Sequence, residues 1–117
     1  MPKRITIAED DLAILDAMHI ILNNSGYSIT GLNNIEDEQS ISNTNPDLIL
    51  LDIWLSGADG KEICKNLKSS EKTKNIPVII VSANSQTEKI AKKIGADDFL
   101  LKPFDMKDLK QIVSKHI

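Results

Sequence analysis

The sequence predicts an α/β fold, a parallel sheet covered on both faces by helices. Three observations carry this. Short apolar runs of strand length recur along the chain, each ended by acidic, small or proline residues. Between them, apolar residues recur at helical spacing. The run Leu48–Leu51 contains no alternating polar residue, which marks a strand buried on both faces.

Ile5 to Ala8 is the first strand, ending in Glu9-Asp10-Asp11. Asp11 is suited to cap a helix whose inward face is Ile14, Leu15, Met18, Ile21 and Leu22, with Gly26 as a left-handed stop. Tyr27–Leu32 is β-rich and forms the second strand. The polar stretch 33–45, anchored only by Ile35 and Ile41, predicts a short helix broken by Asn45-Pro46. The third strand spans 47–52. Asp59 or Gly60 starts the next helix, with Ile63, Cys64 and Leu67 inward, followed by a polar loop over 68–76. Val78–Val81 is the fourth strand, ending in Ser82-Ala83-Asn84. A lysine-rich helix over about 86–94 carries Ile90, Ala91 and Ile94 and stops at Gly95. Phe99–Leu101 is the fifth strand, ending in Lys102-Pro103. Asp105 caps a last helix carrying Met106, Leu109, Ile112 and Val113 at helical spacing. This is (βα) five times over. Alternation with right-handed crossovers favours a doubly wound, flavodoxin-like strand order 2-1-3-4-5.

At 117 residues the chain has the size of one domain, read here as a single unit over 1–117. Apolar residues make up 41% and aromatics only 3%, so the core must be built from Ile, Leu and Val. A net charge of −3 gives no footprint for nucleic acid or an anionic membrane surface. No apolar run approaches the length of a membrane span, and the first residues do not form a signal peptide. Cys64, the only cysteine, has no internal disulfide partner and suits a reducing cytoplasm.

In a parallel sheet all strand carboxyl ends lie along one edge, where open α/β sheets place their ligands. The residues that follow the strands are Glu9 and Asp10, Asp52, Ser82 and Lys102. Carboxylates about 5 Å apart repel by roughly 3 kcal/mol at an effective dielectric near 20. Lys102 offsets part of this, and a hard divalent cation is the simplest further remedy. Mg²⁺ takes oxygen ligands, whereas no His/Cys cluster offers a zinc site. The set suits phosphoryl transfer. Asp52 is the candidate nucleophile. Glu9, Asp10, Asp52 and the backbone carbonyl of Trp54 are the candidate Mg²⁺ ligands. Lys102 and Ser82 are the candidate phosphate contacts.

The chain also resembles, from end to end, the receiver domain of bacterial response regulators. The motifs are Glu9-Asp10-Asp11, Asp47-Leu-Ile-Leu-Leu-Asp52, Gly57-x-Asp59-Gly60, Ile76-Pro77-Val78-Ile79-Ile80-Val81-Ser82-Ala83 and Gly95-Ala96-Asp97-Asp98-Phe99-Leu100-x-Lys102-Pro103-Phe104. The resemblance implies Mg²⁺-dependent transfer of phosphate to Asp52 from a phosphohistidine on a histidine kinase or phosphotransfer protein. It implies a cis bond before Pro103 and a switch pair, Ser82 with Phe99. It further implies that phosphorylation remodels the face of helix four, strand five and helix five, open to a second copy or an effector. Lys89, Lys92, Lys93, Lys107 and Lys110 lie on the helices flanking that face, where lysines are ordinarily only solvated.

Three residues depart from the family pattern: Ser56 where proline is frequent, Phe99 where tyrosine is common, and Trp54 at the rim of the site. A phosphatase of the haloacid-dehalogenase kind would need an acid two residues after the nucleophile, where Trp54 stands. A flavodoxin would need a phosphate loop where three acids stand. The remaining alternative is an unphosphorylated pseudo-receiver acting only as a protein-interaction module.

Overall fold

The computed structural model describes residues 2–55 and 57–117, so the departure at Ser56 lies outside the described residues. Strands and helices alternate: β1 (Arg4–Ala8), α1 (Leu12–Asn24), β2 (Ser28–Leu32), α2 (Glu38–Ser42), β3 (Leu48–Asp52), α3 (Gly60–Ser69), β4 (Val78–Ser82), α4 (Thr87–Ile94), β5 (Asp98–Leu101) and α5 (Met106–His116). All strand pairs are parallel, in the order β2-β1-β3-β4-β5. This is the doubly wound, flavodoxin-like order the sequence predicts.

The sheet divides the core into two layers. Alternation along β3 sends Ile49 and Leu51 to one face, with Ile63, Cys64 and Leu67 of α3 and Ala91 and Ile94 of α4. Leu48 and Leu50 go to the other face, with Leu15, Met18 and Leu22 of α1 and Leu109 and Val113 of α5. Every residue of β3 and β4 is buried, as expected of central strands between two helical layers.

Local signals set the boundaries. Asp11 accepts from the N–H groups of Ala13 and Ile14, and Asp59 accepts from that of Lys61. Asp105 and Asp108 form a reciprocal capping box at the start of α5. Gly95 closes α4 with φ +83°, a left-handed geometry that glycine adopts without steric cost. The Lys102–Pro103 peptide is cis, as the resemblance implies.

Some boundaries differ from expectation. Tyr27 lies outside β2, in the connection after α1, where its N–H returns to the carbonyl of Leu22. Met106 is 54% exposed: it sits in the first turn of α5, ahead of Leu109 and Val113, which lie on the sheet. His116 at the end of α5 is half-buried and bonded to Asp98. Three buried hydroxyls each find a hydrogen-bond partner. Thr73 donates to the Leu67 carbonyl, Thr87 to that of Asn84, and Thr6 pairs with Thr44.

Candidate functional site

Strand register assembles the site. Ala8 pairs with Leu51, so Glu9 leaves β1 beside Asp52 at the end of β3. Asp52 pairs with Val81, which brings Ser82 one step further along the same edge. Ser82 pairs with Leu101, and the N–H of Lys102 donates to the Ser82 carbonyl at 2.9 Å. The ends of β1, β3, β4 and β5 thus converge, and with them four of the residues singled out in the sequence.

At the centre, the Lys102 ammonium sits between two carboxylates. Its Nζ lies 2.6 Å from Glu9 Oε1 and 3.0 Å from Asp52 Oδ2. The other oxygen of each carboxylate faces backbone two residues on. Asp11 N–H donates to Glu9 Oε2 at 3.2 Å, and Trp54 N–H donates to Asp52 Oδ1 at 3.0 Å. Both carboxyls are therefore oriented by the loops that leave their strands.

Burial raises the pKa of Glu9, and the adjoining Asp52 carboxyl raises it further; the ion pair with Lys102 and the hydrogen bond from the Asp11 amide only partly oppose this. For Lys102, burial disfavours the charge, but its bonds to Glu9 and Asp52 prevail and its pKa lies above the ordinary lysine value. The cluster is held as two acids sharing one firmly protonated base.

Asp10 is half-buried and follows Glu9 at the end of β1, but among the described residues no three acidic, His or Cys side chains gather closely enough to hold an ion. The donor set still fits Mg²⁺, which needs one or two carboxylates and fills its sphere with water. Glu9 Oε1 is fully buried and, despite its close ion pair, receives no well-directed hydrogen bond.

Ser82 is fully buried, and its Oγ accepts the Asn84 N–H at 3.1 Å, which leaves its own proton available. Phe99 is half-buried against the layer containing Ile80, Ala91 and Ile94. The Trp54 ring is 55% exposed at the rim, with Lys61 Nζ 5.4 Å from its centroid. Beside Lys102, an apolar groove of about 430 Å³ runs between α1 and the turn after β5, lined by Ala13, Ile14, Ala17, Ala83, Pro103 and Phe104.

One residue was missed as part of the site. Gly60, read only as a helix start, packs against the backbone that carries Asp52. A Cβ there would stand 2.5 Å from Ile53 Cα and 2.6 Å from the Asp52 carbonyl oxygen. Gly60 N–H donates to the Ile53 carbonyl, and Trp54 bridges Asp59, so the loop folds back tightly on the strand end. The signal available was its place at the close of the Gly57-x-Asp59-Gly60 motif.

A buried acid-base-acid cluster at the carboxyl edge of a 2-1-3-4-5 sheet defines a class. The chain belongs to the response regulator receiver domain family, whose profile matches residues 5–114. It is 37% identical over 109 residues to the DNA-binding dual master transcriptional regulator RpaA of Synechocystis, covering 91% of this chain and 45% of that protein. The chain thus spans about half the length of the curated relatives it matches. Among solved structures, a response regulator of Chloroflexus aurantiacus superimposes with a TM-score of 0.88 at 25% identity, covering 98% of this chain and 97% of that one. The receiver domain of sensor histidine kinase PA1611 of Pseudomonas aeruginosa, described with a magnesium ion coordinated in its active site cleft, has the same fold. Its TM-score is 0.84 at 23% identity, with coverage of 99% and 98%. The chain is therefore a receiver domain of two-component signalling, and no helix among the described residues is long and apolar enough to cross a membrane.

Proposed function

We propose that residues 1–117 form one receiver unit that takes a phosphoryl group onto Asp52 from the phosphohistidine of a histidine kinase or phosphotransfer protein in the cytoplasm. The observation that carries this reading is the Lys102 ammonium bound between Glu9 and Asp52 at the sheet edge. An Asp52 oxygen attacks phosphorus in line with the donor nitrogen. The P–N bond breaks, its electron pair returns to the donor imidazole, and that nitrogen takes up a proton. Lys102 leaves Asp52 Oδ2 to pair with a phosphoryl oxygen, while Ser82 offers its free hydroxyl proton to another. The apolar groove beside Lys102 gives the donor protein a surface against which to position its imidazole.

Glu9, Asp10, Asp52 and the Trp54 carbonyl are the residues that would hold Mg²⁺. The ion, when bound, supplies positive charge against the negative charge gathering on the phosphoryl oxygens. This chemistry turns over no separate substrate, since the domain would catalyse only its own phosphorylation and dephosphorylation. Phosphate adds about −1.5 to −2 charges. Ser82 moving toward it would open space for Phe99 to turn inward, changing the face of α4, β5 and α5 that a second copy or an effector would read.

Incubation with acetyl phosphate and Mg²⁺ should label the wild-type protein and not Asp52→Asn, and chelation should abolish labelling. Undiminished labelling of the Asn variant would place the acceptor elsewhere. A wild-type protein that is never labelled would leave only the interaction-module reading.

A further inference from the structure

At the opposite end of β5 from Lys102, one carboxylate joins two elements. Asp98 Oδ1 accepts the N–H of Phe99 at 2.9 Å. Its Oδ2 lies 2.8 Å from His116 Nε2 and 3.3 Å from Lys115 Nζ, both in the last turn of α5. The Asp98 and His116 side chains are only 17% and 18% exposed, whereas Lys115 is largely in solvent. β5 is an edge strand paired only with β4, so this carboxylate also caps a backbone amide that the sheet leaves unpaired.

We propose that Asp98 and His116 form a pH-sensitive latch that fixes the last turn of α5 to the edge strand beside Phe99. The imidazole bonds the carboxylate in either protonation state, but protonated it makes a charge-assisted bond roughly twice as strong as the neutral one. Protonation of the ring therefore tightens the latch, and acidification favours the tight form. Burial opposes the charge on Asp98. His116, the Phe99 amide and Lys115 outweigh it and keep the carboxyl pKa below its usual range, so Asp98 is ionised from mildly acidic pH upward. The charged groups acting on Asp98 are His116 and Lys115. α1, which also packs on α5, contributes none. Asp108 lines the same shallow groove but is engaged in the capping box at the start of α5. The pair is independent of the chemistry at Asp52, and it ties the end of α5 to the residue before the switch aromatic.

Amide hydrogen exchange of the full chain tests this, read at Phe99 and at Ile117, whose N–H donates to the Val113 carbonyl. Protection relative to β3 amides, corrected for intrinsic rates, should fall about fivefold between about pH 5.5 and pH 8 in wild type. In His116→Gln and in Asp98→Asn it should change by less than about twofold. A flat wild-type profile, or a pH response retained by His116→Gln, would overturn the proposal. So would a response retained by Asp98→Asn, since the charge would then act only on the helix terminus.

Discussion

Removing the ammonium by Lys102→Met should leave Glu9 and Asp52 facing each other without a counter-charge. Their bonded oxygens each lie about 3 Å from one nitrogen, so the two charges end within roughly 5 Å and repel by about 3 kcal/mol at an effective dielectric near 20. Breaking a buried pair from one side costs about 3–5 kcal/mol, part of which the variant recovers by protonating an acid. The signs follow from the two shifts. The Lys102 pKa is raised on folding, so its contribution is fully present at and below neutral pH and is lost only above the lysine range. The Glu9 pKa is also raised, so the folded state favours the protonated acid and stability falls as pH rises through the interval above 4.5. Without Lys102 that interval extends upward. Urea unfolding in chelator should show a loss of about 2–3 kcal/mol at pH 8 and under about 1 kcal/mol at pH 5. Adding Glu9→Gln should restore most of the loss at pH 8. Equal losses at both pH values would refute the electrostatic account of the cluster.

Gly60→Ala should destabilise by about 1–3 kcal/mol and slow phosphorylation, because the new methyl meets backbone at Ile53 and Asp52; urea midpoints and labelling rates check both. Leu109→Ala, which opens the layer between α5 and the sheet, should cost about 2–5 kcal/mol in the same unfolding assay while leaving the labelled residue unchanged. Trp54 is the only tryptophan and its N–H is bonded to Asp52, so titration with Mg²⁺ should change its emission with a saturable curve. A flat curve would separate the indole from the ion site.

The parts of the fold legible in the sequence were those fixed by local patterns. The unbroken apolar runs of β3 and β4 could only be central strands, and both are wholly buried. Asp11, Asp59 and Asp105 stood at cap positions and cap there. The convergence of Glu9, Asp52, Ser82 and Lys102 was legible because parallel topology places every strand end on one edge. What was not legible depends on register and long-range approach. No local pattern says that Lys102 would bind both carboxylates at once. The pairing of His116 with Asp98 crosses 18 positions and needs the length of α5 to be known. Met106 shows the limit of periodicity, since a residue in phase with the buried face is exposed when it precedes the part of the helix that meets the sheet.

The central claim is that Asp52 is the acceptor that the surrounding residues are arranged to serve. Treating the protein with acetyl phosphate and Mg²⁺, reducing the acyl phosphate with borohydride and mapping the product by tandem mass spectrometry tests it most directly. The account predicts conversion of Asp52, and of no other residue, to homoserine. Conversion at a different aspartate, with Asp52 unmodified, would contradict it.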